Sequence, residues 1–333
     1  MVRSYDKGNS PKNIGGIVAF ELLQYRALLG EKMKRMYQKI ILGIILLGAA
    51  CLIVGCSEKP VAQTISEQME MTHQEAKSIQ SEEEMLHAEV KQPEGELRIA
   101  LIDTGIAMKA VNAERILPGW NYCNGSDDTE DTIGHGTSLA GLIVGSDRAG
   151  LIGGAPEAYV VPLVCQTKNE DGTIEKIEPE GLAQLIRDAV DVYDCRIINI
   201  SAGVKTDYDK LREAVEYATE RGVMIVSCAG NEGNSDLYYP GGYESVLCVG
   251  SANQELTGRA SFSQDNDSVD VLAPGEKISV VTMKGNVMEV SGTSYSAAYV
   301  TAAAATLWQE QPESTSVQIV EQLKREKILM PGD

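Results

Sequence analysis

The stretch Arg98-Ile99-Ala100-Leu101-Ile102-Asp103-Thr104-Gly105 fixes the architecture. Four apolar residues in a row, Ile99 to Ile102, show no alternation with polar positions, so both faces of the segment are buried. A strand of that kind belongs to a parallel sheet covered by helices. Asp103-Thr104-Gly105 ends the run with turn-forming residues and leaves a carboxylate at the strand's carboxyl end. Further along the chain, Tyr159 to Cys165, Arg196 to Ser201 and Val223 to Ala229 repeat the buried-strand pattern. Amphipathic helical patterns lie between and after them, at Ser138 to Gly145, Pro179 to Val192, Tyr208 to Arg221 and Ser314 to Lys327. This alternation predicts an α/β fold with a mostly parallel sheet flanked by helices, in which active residues collect beyond the carboxyl ends of the strands.

Three short motifs carry chemistry. Asp103 sits where a carboxylate can be shielded from water and still orient an imidazole. Gly134-His135-Gly136-Thr137-Ser138 opens an apolar helix, and the glycines beside His135 let backbone or substrate come close to the ring. Ser291-Gly292-Thr293-Ser294-Tyr295-Ser296-Ala297 heads an alanine-rich helix, so Ser294 meets the positive end of the helix dipole and its exposed N–H groups. Taken singly, each has a plainer explanation: a turn or cap aspartate, a histidine satisfied by local hydrogen bonds, a serine N-cap.

Together, in the order Asp, His, Ser, the motifs resemble the subtilisin-like serine proteases. The resemblance runs from Leu97 to about Lys327. It is supported by Gly153-Gly154-Ala155-Pro156, Ile198-Asn199-Ile200-Ser201, Tyr239-Pro240 and Leu272-Ala273-Pro274-Gly275. It implies a three-layer subtilisin-like fold and a serine endopeptidase with the triad Asp103, His135 and Ser294. In Ala229-Gly230-Asn231-Glu232-Gly233 it makes Asn231 the side-chain donor of the oxyanion hole, partnered by the Ser294 N–H. By the same resemblance Ser201, Ala202 and Gly203 pair with the extended substrate backbone, and Ala229 and Gly230 line the pocket for the residue before the cut. The implied partner is a polypeptide, and the chemistry needs no cofactor.

The chain also departs from the family pattern. Ser138 replaces a frequent second histidine, and Ala298-Tyr299 replaces a frequent Pro-His pair; these positions bear on pocket shape rather than bond breaking. The loop Gly145 to Gly150 carries Arg148 and lacks a convincing set of oxygen ligands, so the structural calcium bound by many relatives is not supported by a clear ligand set. Tyr238, just before Tyr239-Pro240, either fills the floor of the specificity pocket, favouring small or slender side chains before the cut, or faces solvent. Two rivals share the same residues: a catalytically idle regulatory or binding lipoprotein on this fold, and a peptide ligase using the same triad. Retention of all three triad residues and Asn231 weighs against the first.

Upstream of this body the chain reads as an address. Lys32, Lys34, Arg35 and Lys39 precede an apolar run, Ile40 to Val54, too short for a comfortable membrane span but suited to a secretory signal. It ends at Ile53-Val54-Gly55-Cys56-Ser57, which resembles a bacterial lipobox with Cys56 as the lipidated residue. The other reading is an uncleaved signal anchor. Either one makes residues 1–56 an n-region and signal or anchor, with the catalytic part outside the cytoplasmic membrane. The n-region is long, consistent with a start at Met33 or Met36. Residues 57–96, rich in Glu and Gln, read as an acidic stalk with partial helix that cannot bury much surface. Residues 97–333 are the catalytic domain.

The net charge of −19, with no basic run after the N-terminal segment, excludes nucleic acid as a partner. Five cysteines lie in the body, Cys123, Cys165, Cys195, Cys228 and Cys248, without metal-ligand spacing; Cys165, Cys228 and Cys248 fall in apolar strand runs and read as small core residues.

Overall fold

A computed structural model describes residues 96–325, all within the compact unit Pro93–Asp333. The signal segment, Cys56 and almost all of the acidic stalk lie outside the described residues. The chain enters on β1 (Arg98–Asp103), followed by β2 (Trp120–Asn121) and β3 (Tyr159–Val164). A short antiparallel ribbon, β4 (Gln166–Lys168) with β5 (Ile174–Lys176), comes next. Then follow β6 (Ile197–Ile200), β7 (Met224–Cys228), β8 (Leu247–Ala252) and β9 (Val271–Pro274), and a second ribbon, β10 (Ile278–Val281) with β11 (Val287–Val290). Five helices accompany them: α1 (His135–Val144), α2 (Pro179–Asp191), α3 (Asp209–Glu220), α4 (Thr293–Glu310) and α5 (Ser316–Arg325).

Seven strands form one sheet in the order β2-β3-β1-β6-β7-β8-β9, and every neighbouring pair is parallel. The chain starts on an interior strand, steps out to the edge with β2, inserts β3 between the two, then crosses to the other side of β1 with β6. The strand order therefore reverses between β1 and β6, the point at which open sheets of this kind bind ligands beyond the carboxyl ends of their strands. The expected α/β class and mostly parallel sheet are what the molecule has.

Burial follows from the pleat. Ile99 and Leu101 of β1 join Val160, Ile197, Met224 and Val226 on one face, against Leu139 and Ile143 of α1 and Ala297, Ala304 and Trp308 of α4. The alternate residues Ala100 and Ile102 are equally buried on the opposite face, where α3 packs on β7 and α2 on α3. Helix α2 supplies Leu182, Leu185, Ile186 and Ala189, and α3 supplies Leu211, Ala214, Val215 and Ala218. The expected strand at β1 matches; that at β3 was one residue too long at its end, and those at β6 and β7 were one residue too long at both ends.

Two differences from the sequence reading have physical causes. Helix α1 begins at His135, three residues before its apolar pattern does, because its first turn is capped by a residue outside the helix, Asp131. The two ribbons escape a periodicity search because they are only three or four residues per strand and put apolar residues in solvent: Ile174, Val287 and Met288 are about half exposed.

Candidate active site

Asp103 is the last residue of β1 and is 4% exposed. Its Oδ1 accepts the Thr104 backbone N–H at 2.8 Å. Both its oxygens lie against one ring nitrogen of His135, Nδ1 to Oδ1 at 2.8 Å and Nδ1 to Oδ2 at 2.9 Å. An ionised carboxylate can only accept, so Nδ1 carries the proton and Nε2 of the neutral ring is left as a free base. Burial lowers the basicity of His135, but the charge of Asp103, its hydrogen bond and the more distant Asp131 outweigh this, and the pKa is raised above the ordinary imidazole value.

The ring is placed by its neighbours. Asp131, 5% exposed, accepts at Oδ1 from the N–H groups of Ile133 (2.9 Å) and Gly134 (2.7 Å). At Oδ2 it accepts from the Thr137 N–H (2.9 Å) and hydroxyl (2.6 Å). One carboxylate thus satisfies the orphan donors of the loop and first turn that present His135. Thr137 Oγ1 in turn accepts from the Ala107 N–H at 3.0 Å, tying the loop after β1 to α1. The two glycines beside His135 serve this packing rather than substrate access alone. Gly134 has φ 107°, and a methyl group on Gly136 would lie 2.3 Å from the Gly105 carbonyl oxygen.

Ser294 is the second residue of α4, 7% exposed. No hydrogen bond joins its hydroxyl to His135 among the described residues; such contacts commonly tighten only when substrate binds. The link between them is Tyr295, whose ring centroid stands 5.6 Å from that of His135. On the buried side the Cys228 thiol contacts the hydroxyls of Ser294 and Thr293, and desolvation pushes its pKa up despite them. Cys165, Cys228 and Cys248 are buried, in keeping with their reading as core residues.

Asn231 lies just past β7, exposed. Its Oδ1 accepts the Thr293 backbone N–H at 2.8 Å and the Thr293 hydroxyl at 3.0 Å. A backbone N–H can bond only to the amide oxygen, which fixes the orientation of the side chain and leaves the Nδ2 donor for another acceptor. The loop carrying it is held by Gln264, which is fully buried. Gln264 Oε1 accepts from the Glu232 N–H at 3.0 Å and Nε2 donates to the Asp236 carbonyl at 3.1 Å. Neither Asp131 nor Gln264 stood out in the sequence. Asp131 reads as one more acid in a polar turn, and the partners of Gln264 are about thirty residues away.

The strip Ser201-Ala202-Gly203 continues from β6 with its backbone edge open. No N–H or C=O of these three residues takes a partner among the described residues, whereas Val204 and Tyr239 exchange backbone hydrogen bonds at 2.9 and 2.8 Å. An unpaired edge of this kind accepts an extended peptide as an added strand. Asn199, fully buried, anchors the strip by accepting from Thr301 of α4 at 2.9 Å and donating to the Ser201 hydroxyl at 3.2 Å. Ala229 and Gly230 form the facing strip, with the Gly230 N–H bonded to Thr293 Oγ1 at 3.2 Å.

The departures are also accounted for. The Ser138 hydroxyl bonds to the carbonyls of Gly134 (3.0 Å) and Val281 (2.9 Å), joining α1 to β10. In the loop after α1 several backbone oxygens already accept hydrogen bonds. The Ser146 carbonyl accepts from Ala149 and Leu151, the Gly145 carbonyl from Asn112, and the Val144 carbonyl from the Asn112 side chain.

Residues 95–328 match the family model described as the subtilase family. Subtilisin BL of Lederbergia lenta is 32% identical over 229 residues, covering 68% of this chain and 82% of that protein. The major intracellular serine protease of Bacillus subtilis is 34% identical over 232 residues, 66% of this chain and 70% of that one. Among solved structures, a cold adapted subtilisin-like serine proteinase superposes with a TM-score of 0.60 at 26% identity, covering 69% of this chain and 81% of that one. The chain belongs to the subtilase family and is a serine endopeptidase.

Proposed function

We propose that Asp103, His135 and Ser294 form the catalytic triad of an extracytoplasmic endopeptidase tethered to the membrane by its N-terminal segment. The observation that carries this reading is the two-oxygen contact of Asp103 with His135 Nδ1, which leaves Nε2 as the free base of a ring that stands 5.6 Å from Tyr295, the neighbour of Ser294. A peptide laid along Ser201 to Gly203 brings its carbonyl carbon to Ser294. His135 takes the hydroxyl proton as the Ser294 Oγ–carbon bond forms, and Asp103 stabilises the imidazolium and holds its tautomer. The oxygen that gains charge is met by Asn231 Nδ2 and the Ser294 N–H at the positive end of α4. His135 returns its proton to the leaving amine, and water then releases the acyl group by the same route. Every proton moves between groups of this chain, the peptide and water, so no metal or organic cofactor enters the cycle.

Asn231→Ala is expected to lower kcat by about 10²- to 10³-fold, the magnitude known for this donor in subtilisin, with KM little changed. Steady-state kinetics on one peptide checks it; a kcat within threefold of wild type removes Asn231 from the oxyanion hole. The location rests on Cys56 and the apolar run before it. Cys56→Ser is expected to shift the protein from the membrane fraction to the precursor or the medium, read by immunoblot of fractionated cells. Unchanged membrane retention of a correctly cleaved form speaks against lipidation there.

A further inference from the structure

In the proposed site the side chain of the substrate residue before the cut enters between the strip Ser201 to Gly203 and the facing strip at Ala229 and Gly230. A ring already stands there. A methyl group on Gly203 would lie 3.2 Å from Tyr238 Cβ and 3.5 Å from its Cδ1. One on Gly230 would lie 3.0 and 3.1 Å from Tyr238 Cδ2 and Cε2. The Tyr238 ring is therefore in van der Waals contact with both strips at once, so neither of the two sequence readings, a plain pocket floor or a solvent-facing tyrosine, describes it fully.

The ring is also tied down. Lys205 Nζ stands 5.4 Å from its centroid and is held by Glu232 at 3.0 Å and Asp236 at 2.8 Å. The Tyr238 hydroxyl lies toward Lys205 and Glu232, whose charges it feels. The Lys205 ammonium is thus held between two carboxylates beside the Tyr238 ring. Glu232 and Asp236 sit on the loop braced by buried Gln264, and the backbone of Tyr238 is fixed because its neighbour Tyr239 pairs with Val204. A rotation that swung the ring out from between the strips would break the phenol contacts and unstack the ammonium.

We propose that Tyr238, latched by Lys205, Glu232 and Asp236, closes the specificity pocket and restricts this protease to peptides with Gly, Ala or Ser before the cut. The proposal rests on the serine-protease reading above and adds the substrate class. A large side chain has to displace the ring or overpack the space between the strips, and either penalty corresponds to a discrimination of about 100-fold.

The test is a set of quenched fluorescent peptides differing only at the residue before the cut, given to the full-length protein. Wild type is expected to cleave the Ala peptide about 100-fold better in kcat/KM than the Phe peptide. Tyr238→Gly is expected to raise the Phe value about 100-fold relative to the Ala value, so that the wild-type preference is lost. Lys205→Met, which keeps the ring but frees it, is expected to give an intermediate rise and keeps the test decisive should the glycine variant fold poorly. Wild type that takes Phe as well as Ala overturns the proposal, as does a Tyr238→Gly preference equal to wild type. Fluorophosphonate labelling separates the two failures: a labelled enzyme without the preference refutes the latch alone, and an unlabelled one refutes the protease reading and the latch with it.

Discussion

Ser294→Ala is expected to lower the rate of peptide hydrolysis by about 10⁶-fold, the scale seen when the nucleophile of a subtilisin triad is removed, and to leave the fold intact. The expectation follows from where the residue sits. Ser294 is the second residue of α4, and the helix is held by the burial of Ala297, Ala304 and Trp308 rather than by the serine hydroxyl. Loss of one oxygen against the Cys228 thiol leaves no charged group buried and no backbone donor orphaned. Thermal unfolding of the variant is expected within a few degrees of wild type, so lost activity cannot be assigned to lost structure. Hydrolysis retained within tenfold of wild type removes Ser294 from the mechanism.

The second large effect is at Asp103. Asp103→Asn preserves shape but replaces an acceptor-only carboxylate with an amide that can donate, so His135 Nδ1 no longer has to carry the proton. The tautomer with Nε2 protonated then competes, and that form cannot accept the Ser294 proton. A fall in kcat of about 10⁴-fold is expected. The pH profile adds a sign. The pKa of His135 is raised, since the charge and hydrogen bond of Asp103 outweigh the effect of burial. Wild-type activity therefore climbs as pH rises through a value above the ordinary imidazole pKa of about 6.5. In Asp103→Asn the charge is gone, and the residual activity is expected to climb at lower pH than in wild type. Stability moves the opposite way. The folded pKa is raised, so the stabilisation by the His135–Asp103 ion pair is fully present below about pH 6.5 and is lost as pH rises through the folded value. Paired kcat/KM profiles check the first claim; a variant whose activity rises at the same pH as wild type shows that Asp103 does not set the imidazole's basicity.

Much of this was legible before any coordinates. Ile99 to Ile102 announced a strand buried on both faces because burial on both faces erases alternation, and that strand is an interior strand of the sheet. The positions proposed for the triad were legible because each lies at an element boundary with its own local signature: strand end, glycine-flanked helix start, serine at a helix head. Asn231 followed from resemblance, and the hydrogen bonds from Thr293 supply the physical reason for its orientation.

What escaped was held by contacts between distant stretches. Asp131 positions His135 through four donors, yet in Glu130-Asp131-Thr132 it looks like a solvated acid. Gln264 braces the Asn231 loop across about thirty residues, and glutamine carries no periodic signal. Tyr238 was noticed beside Tyr239-Pro240, but the sequence could not show that its ring touches both Gly203 and Gly230, or that Lys205, Glu232 and Asp236 converge on it. The ribbons were missed because they are short and several of their apolar residues, Ile174, Val287 and Met288, face solvent, against the rule that reveals strands.

The most direct test of the account is the site of covalent modification in the folded, full-length wild-type protein treated with a fluorophosphonate and mapped by peptide mass spectrometry. A single adduct on Ser294, absent from Asp103→Asn over the same interval, is the predicted result. A stable, folded protein that takes no adduct, or takes it on another serine, contradicts the proposed triad.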